Sequence, residues 1–499
     1  MVIATCRGNL VNNTMRVTCI MFHKIVAKSI SDHRNPYNMG VLSNNDIKDR
    51  DMVALTKRIL EHSQKGEIDY ARRIYDQMNH RDCVSCNVMI RGYIKNHRTR
   101  DAREIFDRMH HRNTVSWNSM IMAYTHERKM HIALKFFLIM PDKDVISWTT
   151  IISGLCHDSQ IEDAWQLFKQ MPEPNSISWS SVISGFQQNG LAAETLILFK
   201  EMLSAGIHPT PHSFTSALTA TADLAALSIG QQLYSQLIKR GFEINIHVGN
   251  SAISMFIKSG SFYDARHVFV VIPRPDTITW NSMLSGYAQH GYGLEAIMTF
   301  HQMQKAHIFP DGVSFLGVLQ GCSHCGFVEE AWLYFDSMEI DHGIPPLPEH
   351  YACMVDVLAR AGLIKEALDM ILKMPFEPVA IFWKTLLNGC RIWGDLKLGV
   401  FAADKVLKLE PCNSSACLMV IEMYASIGRW VEISEIRRCM RGREARKELG
   451  YSWVEIKGKA HLFTTKDETH VASDSIYMIL ELLSFDVCKY LEIDSMMHC

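Results

Sequence analysis

Two pairs of thiols have the spacing of metal ligands, Cys83-x-x-Cys86 and Cys322-x-x-Cys325. Such a pair supplies half of a tetrahedral zinc site, and closing the site takes a second pair or two histidines at a set distance. No second pair lies at zinc-ribbon distance from either one. Both also fall at positions that are apolar or small elsewhere in the chain's repeats. They are therefore read as structural cysteines, and neither a metal nor another cofactor is expected. The 14 cysteines follow no framework spacing. With no secretory signal, this favours a reducing compartment over a disulfide scaffold.

Composition narrows the field further. The chain has 499 residues, 47% of them hydrophobic, and only 15 prolines, which argues for a well-packed core rather than long disorder. No segment approaches the ~18 uncharged apolar residues that a membrane span requires, so a soluble mature protein with no membrane partner is expected. The formal net charge is −2. A nucleic-acid ligand would thus be held by local groove chemistry more than by a general field. Residues 1–31 contain no Asp or Glu but do contain Arg7, Arg16, Lys24 and Lys28 among hydroxylated and apolar residues. That is the composition of an organellar transit peptide. Residues 1–51 are read as transit peptide and linker, with the mitochondrion as destination and the chloroplast as the alternative.

The elements that position any site come from an internal period. Shifted by 31 residues, the chain matches itself at Ala71, Ala102, Ala133 and Ala164, and again at Met78, Met109, Met140 and Met171. A Trp-x-x-x-Ile/Leu element recurs at Trp117, Trp148, Trp179 and Trp280. Within residues 114–144, Trp117, Met120, Ile121 and Tyr124 share one helical face, and Ile132, Ala133, Phe136, Phe137 and Met140 share another. One such helix pair cannot bury both its faces, but stacked pairs can. The fold expected is all-α, a right-handed α-solenoid of helix-turn-helix repeats. Units run 52–82, 83–113, 114–144, 145–175, 176–210, 211–245, 246–276, 277–311, 312–347 and 348–379. The extra residues of the longer units are expected between the second helix and the next unit, as at Leu203–Thr210.

The strings VSWNSMIMAY, ISWTTIISGL, ISWSSVISGF and ITWNSMLSGY, each followed by a helix ending in LF-x-x-M or a variant, resemble pentatricopeptide repeats. The mixed unit lengths resemble the plant subclass that combines standard, long and short repeats. Residues 381–411 resemble the first extension motif of that subclass, and the stretch from Ser414 through GYSWVEIKGKAHLF resembles the second. Residues 380–463 are accordingly read as degenerate helical extension motifs, followed by a short tail, 464–499.

The resemblance implies RNA reading at two positions per unit, the residue after the Trp/Tyr position and the last residue. Here the pairs are Thr56/Asp82, Asn87/Asn113, Asn118/Asp144, Thr149/Asn175, Ser180/Thr210, Thr215/Asn245, Asn250/Asp276 and Asn281/Asp311. By the family's pattern they correspond to G, pyrimidine, U, A, an unassigned base, a weak position, U and U, read 5′ to 3′. Leu316 and Ala352 hold the first position in later units and cannot hydrogen-bond through their side chains. Any one Asn, Ser, Thr or Asp beside a helix start is more simply a cap, so recurrence at both positions is what argues for reading.

Some relatives end in a deaminase domain with His-x-Glu and Cys-x-x-Cys signatures, which supply zinc ligands and a proton-shuttling glutamate. No His-x-Glu occurs here, and no Cys-x-x-Cys follows residue 325. No catalytic residue is therefore expected. The resemblance implies a sequence-specific binder of single-stranded organellar RNA, acting in cytidine-to-uridine editing and recruiting a deaminase in trans through residues 380–470. Transcript stabilisation, processing or splicing is the alternative, and a protein scaffold is a third reading.

Overall fold

A computed structural model describes residues 44–78, 80–411, 413–442, 451–456, 459–464 and 477–478. The expected address segment up to residue 43, and nearly all of the tail after 464, lie outside the described residues. The chain falls into two compact units, 1–123 and 124–499.

The first unit holds α1 (Asn44–Gln64), α2 (Ile68–Gln77), α3 (Cys83–Lys95), α4 (Thr99–Arg108) and most of α5 (Thr114–His126). α1 begins ahead of the boundary expected at Met52. α1 packs on α2 and α3, and α3 on α4. The second helices are amphipathic in the same register: α2 buries Ile68, Ala71, Ile74 and Tyr75, and α4 buries Thr99, Ala102, Ile105 and Phe106. First helices have neighbours on both sides. Along α3 the run Ser85–Ile90 is buried, polar residues included.

The second unit continues with α6 (Met130–Ile139), α7 (Val145–His157), α8 (Ile161–Lys169), α9 (Ser176–Gln188), α10 (Ala192–Ser204), α11 (Pro211–Asp223) and α12 (Leu227–Lys239). Then come α13 (Ile246–Lys258), α14 (Phe262–Val271), α15 (Thr277–Gln289), α16 (Gly293–Lys305), α17 (Gly312–Cys325), α18 (Val328–Ile340), α19 (Pro348–Arg360) and α20 (Ile364–Lys373). From α7 to α21 (Ala380–Trp393), each first helix packs on the first helix of the next repeat. α22 (Leu396–Leu409), α23 (Ser414–Ser426) and α24 (Trp430–Gly442) extend the stack. The all-α solenoid class expected from the period thus holds in both units. Among the described residues, no helix is long and apolar enough to cross a membrane.

The recurrent tryptophans knit the repeats. Trp117 meets Phe106 edge-on at 5.0 Å, Trp148 meets Phe137 at 4.9 Å, Trp179 meets Phe168 at 4.8 Å and Trp280 meets Phe269 at 4.7 Å. Each contact joins a second helix to the first helix of the following repeat. Such pairs contribute about 0.5–1.5 kcal/mol beyond the area they bury.

Two expectations need correction. The longer repeats do not place their extra residues mainly in the linker. Second helices have 10 residues in α4 and α14 but 13 in α10, α12 and α16, so Leu203 and Ser204 are helical. Lengthening a helix by close to one turn returns the chain to the same face, which keeps the next repeat in register. Residues 451–456 and 459–464 are not helical either. β1 (Tyr451–Ile456) and β2 (Lys459–Thr464) pair antiparallel, Tyr451 opposite Thr464 and Ile456 opposite Lys459. The aromatic and β-branched residues around Trp453, and the two-residue link Lys457-Gly458, carry that hairpin signal in the sequence.

The turn inside each repeat requires a left-handed residue. Glycine fills it at Gly190, Gly260, Gly291, Gly326 and Gly362, but Ser159 (φ 60°) and Ala225 (φ 47°) adopt the same conformation with a Cβ. The left-handed region costs an ordinary residue roughly 1–2 kcal/mol, offset in part by the greater unfolded-state entropy of glycine. Ala225→Gly is therefore expected to raise stability by about 0.5–1 kcal/mol, read as a higher denaturant midpoint. A lower midpoint would show that the turn is not strained.

Candidate nucleic-acid interface

Each first helix starts with its backbone N–H groups in a partly buried turn, where they need acceptors. The last residue of the preceding unit supplies one. Asp82, Asp144 and Asp311 accept from the N–H of Ser85, Ser147 and Ser314 at 2.8, 2.8 and 2.9 Å. Asn113, Asn175, Thr210, Asn245 and Asp276 accept in the same way from Ser116, Ser178, Ser213, Val248 and Thr279. All eight residues expected at this place are thus caps. Capping and ligand reading had been set against each other in the sequence, yet the geometry makes them compatible.

Three of these caps also accept from an asparagine amide at the fifth position of their own unit. Asn87 Nδ2 donates to Asn113 Oδ1 at 3.1 Å, Asn281 Nδ2 to Asp311 Oδ1 at 2.9 Å, and Asn250 Nδ2 to Asp276 Oδ1 at a long 3.5 Å. The chain of donors fixes each amide. Ser116 N–H can only donate, so the Asn113 atom facing it is oxygen, and Asn87 must then present its NH2 group. The buried Oδ1 atoms of Asn87 and Asn250 meet no donor. A buried acceptor left unpaired costs roughly 1–3 kcal/mol, and a ligand N–H would recover it. Asn281 differs, since Ser314 Oγ donates to its Oδ1 at 2.6 Å.

Other pairs behave differently. Ser180 and Thr210 hydroxyls lie 2.7 Å apart, and Ser180 Oγ donates to Ser176 O at 2.6 Å. Thr210 must then donate to Ser180, so both protons are used internally and the pair offers a ligand only lone pairs. Thr56, Thr149 and Thr215 bond back to the carbonyls of Met52, Val145 and Pro211 at 2.8, 2.8 and 3.0 Å. No hydrogen bond joins them to Asp82, Asn175 or Asn245 among the described residues. A threonine hydroxyl is short and finds the preceding turn first. Asn118 is buried on α5, and Asp144 caps α7 in the other compact unit.

Where the polar pairs end, the cap changes. Leu347 precedes α19 and makes no side-chain cap; instead its own N–H donates to His350 Nδ1 at 3.0 Å, and His350 Nε2 lies 2.8 Å from Gly312 O. An Nδ1 that accepts leaves the proton on Nε2, which donates to the carbonyl.

One set of residues escaped the sequence reading. Val53, Val84, Ile177, Ile278 and Val313, three residues ahead of the fifth position, are 47–64% exposed. A β-branched residue recurring outside the buried face was the available signal. The Cys-x-x-Cys pairs show no metal-site character. Cys86 and Cys322 are buried, and burial pushes both thiols up, Cys322 to about 12, away from the thiolate that zinc requires. No group of three or more His, Cys, Asp or Glu among the described residues could hold a metal ion.

Comparisons with known proteins bear on the family and the fold. Segments 84–114, 115–145, 177–207, 313–341 and 349–377 match the family described as PPR repeat. Residues 143–173 and 275–324 match the PPR repeat family, and 393–455 match the E motif. A pentatricopeptide repeat-containing protein of Arabidopsis thaliana is 41% identical over 281 residues, 55% of this chain and 40% of that one. A relative from the same plant named chloroplastic is 39% identical over 57% of this chain and 34% of its own length. Another, named mitochondrial, is 37% identical over 56% and 31%. The chain thus spans about a third to two fifths of the length of these curated relatives. The crystal structure of the pentatricopeptide repeat protein PPR10 from maize aligns with a TM-score of 0.52 at 17% identity, over 79% of this chain and 64% of that one. That likeness bears on the fold.

The double duty of the caps has a measurable consequence. Asp82→Ala should cost about 1 kcal/mol, a cap alone. Asp311→Ala also strands the buried Asn281 amide and should cost about 2–3 kcal/mol. Equal losses in denaturant titrations would show that the Asn281–Asp311 bond contributes nothing.

Proposed function

We propose that this chain, which belongs to the pentatricopeptide repeat family and carries an E motif, binds single-stranded RNA by setting one base against each polar pair of its repeats. The observation that carries this reading is the side-chain amide held by a helix-cap oxygen, seen at Asn87, Asn250 and Asn281. An amide anchored in this way cannot flip, so it meets a base with its donor and acceptor in a fixed order. Uracil, with an N–H between two carbonyls, complements it. The exposed aliphatic residues three positions earlier supply apolar contact to the base faces.

Such binding shields a stretch of transcript from nucleases and from its own secondary structure. Stabilisation or processing of a specific organellar transcript is the function best supported, since it needs no second protein. The E motif over 393–455 favours a second reading, in which the bound protein directs cytidine-to-uridine editing and recruits a deaminase in trans through residues 380–470. Trp393, Trp430 and Val431 are exposed there and offer apolar contact to a partner. Import into the mitochondrion, or alternatively the chloroplast, is proposed from the acid-free segment 1–31.

Binding should be tested with RNA carrying G-Y-U-A-n-n-U-U and with a scrambled control at moderate salt. Asn281→Thr should alter preference at the last U alone, by about 1–3 kcal/mol. Equal affinity for the two RNAs would refute sequence reading. In a plant line lacking the protein, loss or altered ends of one transcript supports stabilisation or processing, and loss of conversion at specific cytidines supports editing. Residues 1–51 fused to a fluorescent protein should enter mitochondria. Plastid fluorescence selects the alternative, and cytosolic fluorescence overturns the address.

A further inference from the structure

The two Cys-x-x-Cys pairs differ in where they sit. Cys83 and Cys86 open α3 at its first and fourth residues, whereas Cys322 and Cys325 close α17. Cys83 is half-buried and Cys86 is buried. Cys83 Sγ donates to the His111 carbonyl at 3.0 Å, across 28 residues. His111 lies in the link between α4 and α5, just ahead of the Asn113 cap, so the thiol ties down the link that carries Asn113. Cys86 directly precedes Asn87, whose amide Asn113 holds. Both thiols therefore border the same polar pair. The Tyr75 hydroxyl lies 3.2 Å from Cys86 Sγ.

Cβ atoms three residues apart on a helix stand roughly 5–6 Å apart, whereas a disulfide takes about 3.5–4.5 Å. The turn must tighten for the bond to form. A first turn can do so, because its leading N–H groups are not bound to helix carbonyls. Here the Ser85 N–H is held by the Asp82 side chain instead. The N-terminal end of a helix also favours a thiolate, and Arg81 and Asp82 flank Cys83 with opposite charges. The position of Cys322 and Cys325 is the reverse. The last turn of α17 lies inside the hydrogen-bond ladder, and its carbonyl end disfavours a thiolate. Burial, with Glu330 beside Cys322 and Glu295 beside Cys325, pushes both thiols up. A disulfide across one helical turn is strained, and strained disulfides are readily reduced. Such a bond suits a switch better than a staple.

We propose that Cys83 and Cys86 form a reversible dithiol site, oxidised by a small-molecule disulfide, whose closure frees the link carrying Asn113 and weakens base discrimination at the Asn87–Asn113 pair. Cys83 loses its proton to water and its thiolate attacks one sulfur of the oxidant. That S–S bond breaks, and the departing thiolate takes up a proton. Cys86 then loses its proton and attacks Cys83 Sγ, expelling the second thiolate, which is protonated in turn. Two protein thiols are oxidised, and one small disulfide is reduced to two thiols. Cys83 Sγ then has no proton to donate to His111 O. The Tyr75 hydroxyl can still donate to the Cys86 sulfur, so that buried group keeps its partner. The effect on binding rests on the RNA reading above, and the thiol chemistry does not.

The test equilibrates the full chain in graded mixtures of oxidised and reduced glutathione, then denatures, alkylates and digests it with trypsin. Residues 82–91 form one peptide that holds both thiols. It should pass from two alkylated cysteines to none, and back on reduction, at ratios that leave Cys322 and Cys325 alkylated. A stable glutathione adduct on Cys83, thiols that stay free at every ratio, or equal oxidation of Cys322 and Cys325 overturns the proposal. Binding is read with G-Y-U-A-n-n-U-U RNA whose second base is a pyrimidine or a purine. Reduced wild type should favour the pyrimidine roughly 5- to 100-fold. Oxidation should cut that ratio to about one and spare the U-U step. Cys83→Ser keeps a hydroxyl donor for His111 O but cannot close the bond, so it should discriminate in both buffers. Cys83→Ala should lose discrimination in both. If Cys83→Ala discriminates as well as reduced wild type, the coupling to the pair is overturned. The same holds if reduced wild type shows no pyrimidine preference while scrambling the RNA remains harmful. If scrambling is harmless, the array reading itself fails, and the peptide result still decides the dithiol.

Discussion

The constraint on which the rest of this structure depends is the open N-terminus of each first helix. First helices stack on one another, so their leading N–H groups sit in partly buried turns and cannot rely on water. In the polar repeats the last residue of the preceding repeat answers one of them with a short oxygen-bearing side chain; Leu347 and Val379, before α19 and α21, do not. Asp, Asn and Thr answer them throughout the polar repeats, whereas at Leu347 no side chain caps the helix and the His350 ring instead accepts from the Leu347 N–H. A cap oxygen has two lone-pair sites, and the backbone takes only part of its capacity. What remains is directed by the stacking toward the fifth residue of the first helix. The bonded polar pair is thus a by-product of capping, completed by the residue that happens to face the cap.

This origin explains why the eight pairs are not equivalent. An asparagine at the fifth position reaches the cap because its amide is long enough and has donors to give. A threonine is one atom shorter and bonds the carbonyl one turn back, as Thr56, Thr149 and Thr215 do. Ser180 does both, because its partner Thr210 brings a hydroxyl that supplies the missing proton. Identity at the fifth position therefore decides whether the site is a rigid two-residue device or two independent polar groups. The same reasoning separates Asn250 from Asn281. Thr279 gives its hydroxyl to Asp276, whereas Ser314 reaches the Asn281 oxygen and occupies it.

Much of the scaffold was legible because its causes are local and repeated. The Ala–Phe–Met stripe and the Trp at a fixed place each recur often enough to be seen in one sequence, and the helices, their order and the edge-to-face Trp–Phe contacts follow. The extra residues of the long repeats were misplaced because a turn of helix and a longer linker have the same length in sequence. Only packing shows that α10 carries them. The β hairpin was missed for a different reason. Resemblance to a helical extension overrode the strand signal of Trp453, Val454 and Ile456 and of the Lys457-Gly458 link. At the site, the residue pairs were legible, but the hydrogen-bond direction within each pair was not. That Thr56, Thr149 and Thr215 would bond the carbonyl one turn back and not the cap follows from side-chain reach, which a list of polar residue types does not display.

A nearly neutral chain can still hold a polyanion selectively if its contacts are short, desolvated and directional. Bulk attraction brings affinity without sequence and fades with salt. A fixed amide beside a cap oxygen carries no net field, yet a wrong base leaves its donors and acceptors unpaired, and that penalty is paid in a sheltered place. The formal charge of −2 neither supports nor excludes such a binder.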